Sequence, residues 1–229
     1  EVRQAATAFN RMQERVREMM AERTQILAAV THDLKTPLTR MRLRLEGCND
    51  DALREKLGGD LVAMQRLVDE GLELARSMQS VEPAARLDLD ALLSAIADDA
   101  ADAGQPVRYS GAGSGSIQAG CKPNALRRAV ENLVDNAIKY GGGALLSLSA
   151  EEGLACIRIS DDGPGIPEER LAEVLRPFVR LESSRSRESG GTGLGLAIAS
   201  NLVSAQGGRL VLENRPTGGL AATIMLPLD

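Results

Sequence analysis

Histidine is nearly absent from this chain: its 229 residues include one, His32, together with three cysteines, Cys48, Cys121 and Cys156. The cysteines lie far apart, and no second histidine or cysteine accompanies His32, so the spacing of a zinc site or a CxxC redox motif is missing. We expect the thiols to stay reduced and to pack as small apolar groups. His32 therefore needs an explanation other than a metal.

Long apolar runs and an excess of basic charge are also missing. No stretch approaches the roughly 18 consecutive apolar residues of a membrane span, and residues 1–12 lack a signal-peptide pattern. The 27 Lys+Arg and 32 Asp+Glu are interspersed and give a net charge of -5, which argues against nucleic acid or an anionic membrane surface as the main partner. Since the chain begins at Glu1 without a methionine, we expect a soluble fragment whose missing N-terminal part could hold a membrane anchor.

Residues 1 to about 80 contain few helix breakers apart from Pro37 and the stretch 47–51, and they predict a helical hairpin. We expect Pro37 to bend its helix. Small or apolar residues recur at steps of four and three along both arms: Leu27, Val30, Leu34, Leu38, Met41 and Leu45 in the first, and Leu57, Leu61, Met64, Val68, Gly71, Ala75 and Met78 in the second. Because a lone hairpin would expose these stripes, we predict a homodimeric four-helix bundle through residues 24–80, entered by a helix over residues 1–23.

The pattern changes from about residue 87 onward. Helical stretches at 88–103, 123–140 and 193–206 are mixed with the short β-type runs PVRYSG, GSIQAG, ALLSLSA, ACIRISD, GRLVLEN and AATIMLP. This mixture predicts an α+β two-layer sandwich, with helices on one face of a sheet. The polar, glycine-bearing run at 181–191 predicts a mobile lid.

The position of His32 predicts a ring that faces away from the bundle core. A helical residue advances by about 100°, so His32 lies about 200° from the seam residue Val30. Two interpretations stay open: a surface histidine without a role, and a nucleophile whose ring is oriented by the adjacent carboxylate of Asp33. Thr36 shares the face of His32, where a hydroxyl could position a water beside a group attached to the ring.

Two asparagines, Asn132 and Asn136, lie four residues apart in the middle of a predicted helix. Asparagine is a poor helix former, so the pair needs a reason beyond the helix, although a chance pair on a solvated surface is the alternative. Amide oxygens can complete the oxygen shell of Mg²⁺ without adding charge. Lys139, which completes the same face with Tyr140, offers a cation to phosphate.

The run IRISDDGPGIP places Asp161 in phase with Ile157 and Ile159 at the end of a predicted strand. This phase indicates an inward carboxylate, and Gly163 and Gly165 would let backbone approach closely. Such a carboxylate can accept a hydrogen bond from an exocyclic amine, as adenine presents. A plain Asp-Gly turn is the alternative.

Glycines precede and enter the first turn of the predicted helix in GGTGLGLAIA, residues 190–199. The spacing is not GxGxxG and no Gly-Lys-Ser/Thr follows, so neither a dinucleotide-binding fold nor a P-loop is supported. Free N–H groups at the helix start would suit phosphate oxygens. Arg180, Arg185 and Arg187 in the lid would add charge, unless they belong to an ordinary solvated loop.

Together these segments resemble the two-component sensor histidine kinases of the membrane-receptor class with a HAMP linker. THDLKTPL is similar to the phosphoacceptor box, ENLVDNAIKYG to the N box, DDGPGI to the first glycine box, RPFVRLE to the phenylalanine box and GGTGLGLAI to the second glycine box. Each motif alone is weak to moderate, but the five stand in the family's order at the expected separations, so the set is specific.

The resemblance implies three regions: the end of a HAMP-like helix over residues 1–23, a dimerisation and histidine phosphotransfer hairpin over 24–80, and a Bergerat-type ATP-binding domain over 87–229. It implies ATP and Mg²⁺ as cofactors and the receiver domain of a response regulator as partner. It places the full-length protein at the inner membrane, with this part on the cytoplasmic side. An ATPase of the same fold and a degenerate ATP-binding scaffold are the alternatives.

The resemblance also implies roles for individual residues. His32 would be the phosphoacceptor, Asp33 its orienting base, and Thr36 the residue linked to dephosphorylation of the regulator. Phe178 would anchor the lid to the body of the domain. Asn132 and Asn136 would hold Mg²⁺ and contact the nucleotide, and the other nucleotide-binding positions would be Lys139, Tyr140, Asp161, Gly163, Gly165, Ile166, Arg180, Arg185, Gly191, Thr192, Gly193, Leu194, Gly195 and Leu196.

Overall fold

The computed structural model of the chain describes residues 11–12, 15, 19, 29–31, 33–48, 50–77, 82–111, 115–181 and 191–228. His32, Arg185 and Arg187 lie outside the described residues, as do Leu27 and Met78 of the predicted seams. The chain divides into two compact units, Glu1–Gln79 and Ser80–Asp229. None of the described helices is long and apolar enough to cross a membrane.

The first unit contains the predicted helical hairpin. Helix α1 comprises residues 29–31 and 33–46 and continues through Pro37, while helix α2 spans Asp51–Ser77. Lys35 Nζ lies 2.7 Å from Asp69 Oδ1, and a Cβ added to Gly58 would lie 3.8 Å from Leu45 Cδ2. Since residues that come later in α1 meet residues that come earlier in α2, the two helices are antiparallel.

Much of the apolar seam stays exposed in the single chain. Leu38 and Ala75 are buried, at 7% exposure each. In contrast, Leu34 and Met41 on α1 are 45% and 52% exposed, and Met64 on α2 is 49% exposed. The hairpin therefore buries part of the stripe internally and presents the rest as an apolar surface.

The second unit is the predicted α+β sandwich. Its sheet has the order β2-β4-β5-β7-β6, with β2 and β4 parallel and the other neighbours antiparallel, and β1 pairs separately with β3. Helix α4 packs against α5 and against β4 and β5. The elements are β1 (Ala85–Asp88), α3 (Leu89–Asp102), β2 (Val107–Tyr109), β3 (Gln118–Cys121), α4 (Pro123–Gly141), β4 (Ala144–Glu151), β5 (Leu154–Ser160), a 3₁₀ turn (Glu168–Arg170), α5 (Gly195–Ser204), β6 (Arg209–Asn214) and β7 (Leu220–Pro227).

Alternation along the strands sets the core. In β5, Ile157 and Ile159 are buried, and in β4 the buried Leu146 alternates with Leu145, which is 45% exposed. A strand with one buried and one solvent-exposed face fits a sheet covered by helices on one side. The apolar face of α4 lies in this core and includes the buried residues Leu126, Val130, Leu133 and Ala137. The asparagines lie on another face of the helix.

Helix α4 starts and ends by different devices. Pro123 occupies the first turn, and Gly142 forms the C-cap in the left-handed conformation with φ +73°. At the N-terminus, Lys122 makes no side-chain cap. Glu82 takes that role: its Oε1 accepts from Asn124 N and Nδ2, both at 2.8 Å, and its Oε2 accepts from Ala125 N at 3.0 Å.

Glu82→Ala is expected to loosen the first turn of α4. The variant removes the acceptors of two backbone N–H groups at a helix start, a change that costs about 1 kcal/mol in capping series. Hydrogen exchange of the Asn124 and Ala125 amides should accelerate. Glu169→Ala is the matched control, because Glu169 is exposed in the same unit; unchanged exchange in Glu82→Ala would contradict the capping role.

Candidate functional site

The asparagine pair lies on the half-buried face of α4. Asn132 Nδ2 donates to the Arg128 carbonyl at 2.8 Å, which fixes the amide and leaves its oxygen directed outward from the helix. A Cβ added to Gly195, the first residue of α5, would lie 3.4 Å from Asn132 Oδ1. The amide oxygen of Asn132 therefore faces the start of α5, and Asn136 follows one turn later on α4.

The last turn of α4 meets the second glycine segment, residues 191–195. Lys139 Nζ lies 5.2 Å from the centre of the Tyr140 ring, a cation–π distance. A Cβ added to Gly191 would collide with Lys139 Nζ and would lie 3.1 Å from Tyr140 Oη. Two motifs that are 50 residues apart in the sequence thus come together, and Gly191 is the residue that permits their contact.

Asp161 follows β5 and is buried, with 7% of its surface exposed. Its Oδ1 accepts two backbone hydrogen bonds, from Gly163 N at 2.8 Å and from Leu220 N at 3.2 Å. Within the part of the chain that the structure describes, no hydrogen bond reaches the second oxygen, Oδ2. A buried acceptor of this kind calls for a donor, so Oδ2 is the atom suited to a ligand.

Glycines bring backbone close to this carboxylate. A Cβ added to Gly163 would lie 2.8 Å from the Tyr140 carbonyl oxygen, and one added to Gly141 would lie 2.9 Å from both Cγ and Oδ1 of Asp161. Gly165 has φ +72°, a conformation that side-chain-bearing residues rarely adopt. The backbone around Asp161 is therefore packed to a spacing that side chains at these glycines would prevent.

The phenylalanine box joins the second glycine box through the backbone. Phe178 N donates to the Gly193 carbonyl at 2.9 Å, and a Cβ added to Gly193 would lie 2.8 Å from the Val179 carbonyl oxygen. The Phe178 ring is 65% exposed and its φ is +64°. The described contact between Phe178 and the second glycine segment is thus made by its peptide group, and the expected role of Phe178 as an anchor of the lid stays a prediction.

Helix α5 begins at Gly195, two residues after the start expected from the sequence. Leu194, at the N-cap position, provides no side-chain cap, and its backbone N–H donates to Thr192 Oγ1 at 3.3 Å. The Leu194 side chain is fully buried, so this residue can meet a ligand through its backbone alone. Leu196 is half-buried, and the N–H groups of this turn remain suited to an anion.

Several expected site residues lie elsewhere. Asp33 and Thr36 are exposed on α1, in the first unit, and Arg180 is exposed, with its carbonyl accepting from Arg170 Nη2 at 3.5 Å. The structure therefore brings together the N box, the two glycine boxes and the phenylalanine box. No group of three or more His, Cys, Asp or Glu side chains suited to a metal occurs among the described residues.

Three contacts to Asp161 or its turn were not expected from the sequence: those of Gly141, Asn214 and Arg215. Gly141, the last residue of α4, packs on the Asp161 side chain. Asn214 and Arg215 lie in NRPTGG, which predicts a turn by composition but not the partner of that turn. A pairing across more than 40 residues leaves no local signal.

Gly141→Ala is expected to weaken ADP binding about tenfold, because the new methyl group displaces the Asp161 carboxylate at an overpacking cost of about 1–3 kcal/mol. Helix propensity, which favours alanine over glycine by about 1 kcal/mol, acts on the free and the ADP-bound chain alike and does not offset this loss of affinity. Gly59→Ala is the matched control: Gly59 is exposed within α2, and nothing lies within 4 Å of an added Cβ. Titration calorimetry with ADP checks both; wild-type affinity in Gly141→Ala would contradict the contact's importance.

Two family models match the sequence. The His Kinase A (phospho-acceptor) domain matches residues 22–80, and the histidine kinase-, DNA gyrase B-, and HSP90-like ATPase matches residues 121–229. Neither match reaches residues 1–21, so a HAMP module is not detected there. Of these residues the structure describes Arg11, Met12, Arg15 and Met19, all helical.

Known proteins match nearly the whole chain. Sensor histidine kinase GtrS of Pseudomonas aeruginosa is 40% identical over 227 residues, which are 99% of this chain and 46% of that protein. Sensor histidine kinase CpxA of Escherichia coli is 31% identical over 235 residues, 98% of this chain and 51% of that protein. The chain thus spans about half the length of the curated relatives it matches. Among solved structures, full-length ShkA in complex with AMPPNP matches 89% of this chain and 45% of its own, with a TM-score of 0.66 and 26% identity.

Proposed function

Since this chain belongs to the sensor histidine kinases, with a phospho-acceptor domain followed by an ATPase-type domain, we propose that it is an ATP-dependent protein-histidine kinase that phosphorylates His32. The observation that carries the proposal is the buried Asp161, one of whose oxygens is fixed by two backbone N–H groups while the other has no described partner. That arrangement suits recognition of adenine and has no evident structural use.

Adenine would be recognised by a hydrogen bond from its exocyclic amine to Asp161 Oδ2. The two N–H groups on Oδ1 hold the carboxylate in place before the ligand arrives, so little ordering cost remains at binding. Gly163 and Gly165 shape the turn beside it, and Ile166, whose peptide group is bonded by Asn214, lines the same turn. A base that carries an oxygen in place of the exocyclic amine would set one hydrogen-bond acceptor against another, Asp161 Oδ2.

The phosphates would lie at the start of α5. Backbone N–H groups from residues 191–196, together with Lys139, would bind the phosphate oxygens, and the Tyr140 ring supports that ammonium group. Arg180 and Arg185 of the lid would add positive charge. Asn132 and Asn136 fit Mg²⁺ because the Asn132 oxygen is directed at the glycine segment. Bound Mg²⁺ would supply charge neutralisation on the transferred phosphoryl group.

Phosphoryl transfer would occur at His32. Neutral imidazole is a competent nucleophile near pH 7, and the Asp33 carboxylate would hold the ring and balance the positive charge that develops as its nitrogen bonds to the γ-phosphorus and the ADP oxygen leaves. Catalysis rests on positioning and charge neutralisation. The phosphoryl group would then pass from His32 to an aspartate on the receiver domain of a response regulator.

Dimerisation would cover the apolar surface of the hairpin. Val30, Leu34 and Met41 on α1, with Leu57 and Met64 on α2, are each at least 41% exposed in the single chain. A second hairpin packed alongside would bury these side chains in a four-helix bundle. The chain would therefore act as a homodimer, held in the full-length protein on the cytoplasmic side of the inner membrane by a segment that precedes it.

Thr36→Ala is expected to lower dephosphorylation of the regulator by about 100-fold, since a positioned hydroxyl that orients water contributes on that order. Autophosphorylation should persist, because the nucleophile and nucleotide site are unchanged. The measurement is phosphate release from the phosphorylated receiver domain. Thr39→Ala is the matched control on the same helix, where the Thr39 hydroxyl donates to the Lys35 carbonyl. Undiminished phosphate release in Thr36→Ala would contradict this role.

Incubation of the chain with Mg²⁺ and γ-labelled ATP separates the kinase from its two rivals. A histidine kinase gives acid-labile label on the protein. An ATPase of the same fold releases labelled inorganic phosphate and leaves the protein unlabelled. A degenerate scaffold binds nucleotide and does neither. Acid-labile protein label is the expected result.

A further inference from the structure

The turn between β6 and β7, residues 214–220, lies against the carboxylate that we propose to read adenine. Gly218 N donates to the Arg215 carbonyl at 3.0 Å, and Gly218 and Gly219 have φ values of +95° and +87°. A Cβ added to Gly219 would collide with the Asp161 carbonyl oxygen. The turn therefore lies in direct contact with the peptide group that follows Asp161.

Arg215 and Leu220 hold the Asp161 backbone on both sides. Asp161 N donates to the Leu220 carbonyl at 3.0 Å, and Arg215 Nη1 donates to the Asp161 carbonyl at 2.6 Å. The same Nη1 lies 2.6 Å from Asp162 Oδ1, but that carboxylate is 87% exposed, so the ion pair contributes little. The charge-assisted bond to the Asp161 carbonyl is the significant contact, because it restrains the peptide from which the carboxylate projects.

Asn214 fixes the other end of the glycine turn. Its Oδ1 accepts from Ile166 N at 2.9 Å and its Nδ2 donates to the Ile166 carbonyl at 2.6 Å, as a neighbouring strand would. Gly165 is required between them, since a Cβ there would lie 2.7 Å from Asn214 Oδ1. The segment 161–166 is thus held at both ends by two consecutive side chains from one strand terminus.

We propose that residues 214–220 position the adenine-reading carboxylate, and that Arg215 is a positioning residue that sets the preference of the site for adenine. The inference rests on the proposed role of Asp161. In this proposed role, Arg215 does not contact the nucleotide or Mg²⁺. It acts by holding the Asp161 peptide so that Oδ2 stays in line with an exocyclic amine, whereas a base without that amine gains nothing from the alignment.

The test compares ADP with inosine diphosphate, which carries an oxygen in place of the amine, by titration calorimetry of the 229-residue chain in Mg²⁺. Wild type is expected to prefer ADP. The Arg215→Ala variant is expected to bind ADP about tenfold more weakly, a loss of the size of one charge-assisted hydrogen bond. It is expected to bind inosine diphosphate as wild type does. Arg209→Ala, which changes an exposed arginine on β6, the strand that precedes Arg215, should keep wild-type values for both nucleotides.

If Arg215 had only a general structural role, its loss would weaken the binding of both nucleotides equally. An unchanged preference for ADP in Arg215→Ala therefore overturns the inference. In that case a preference shown by wild type would leave adenine reading by Asp161 intact. Absence of any preference in wild type would overturn both. Asn214→Asp guards against misfolding of the first variant: it keeps size and the acceptor for Ile166 N but places an oxygen against the Ile166 carbonyl, and it too should lose preference. A wild-type ratio in Asn214→Asp would likewise count against the turn.

Discussion

His32→Ala is expected to reduce acid-labile phosphoryl label to background while ADP binds as in wild type. His32 is the one histidine in the chain, so no other imidazole can replace it as the nucleophile. The residues proposed to bind nucleotide belong to the unit Ser80–Asp229, whereas His32 belongs to Glu1–Gln79. Removing the imidazole therefore removes the acceptor and leaves the donor site unchanged.

The measurement pairs label incorporation from γ-labelled ATP with calorimetric titration by ADP on the same preparation. Thr39→Ala serves as the control for any change to α1, because it alters a side chain on that helix that bonds the helix's own backbone. Acid-labile label that persists in His32→Ala would show another acceptor. Loss of both label and ADP binding would show that the substitution acts through folding.

Asp161→Asn is expected to weaken ADP binding by about 100-fold, the effect of replacing a charge-assisted acceptor by a misdirected donor. The amide oxygen must take the place of Oδ1, because Gly163 N and Leu220 N both donate there. The amide nitrogen then occupies the Oδ2 position and faces the exocyclic amine, donor against donor. Since Asp161 is buried, leaving the two donors unpaired costs more than it would at an exposed site.

Asp102→Asn provides the charge-matched control, since Asp102 is an exposed residue at the end of α3. Thermal unfolding of both variants separates a binding defect from a folding defect. If Asp161→Asn bound ADP as tightly as wild type, adenine would be read elsewhere. The predicted preference between ADP and inosine diphosphate should also disappear in this variant.

Local sequence signals predicted most of the elements. The stretch 123–141 carries a proline in its first turn, an apolar stripe at helical spacing and glycines at its end, and α4 spans Pro123–Gly141. Alternation likewise marked β4 and β5 within a residue or two. Strand β1 was missed, because its alternation of Ala85 and Leu87 with charged residues covers only four residues and becomes a strand through pairing with β3, some 30 residues onward.

The same limit applies to the site. The inward position of Asp161 was predicted from its phase with Ile157 and Ile159, a pattern contained in five residues. The contacts that hold Asp161, from Arg215 and Leu220, join segments more than 50 residues apart and follow from the pairing of β5 with β7. The buried position of Asp161 was predicted from a local pattern. The residues that hold it were missed, because their contacts are set by the pairing of distant strands.

The most direct test of phosphorylation at His32 is to locate the phosphoryl group after a single turnover with γ-labelled ATP. The labelled wild-type chain is digested under alkaline conditions, which preserve phosphohistidine, and the labelled peptide is identified by mass spectrometry. We expect acid-labile label confined to the peptide that contains His32. Acid-stable label, or label on a peptide without His32, would contradict it.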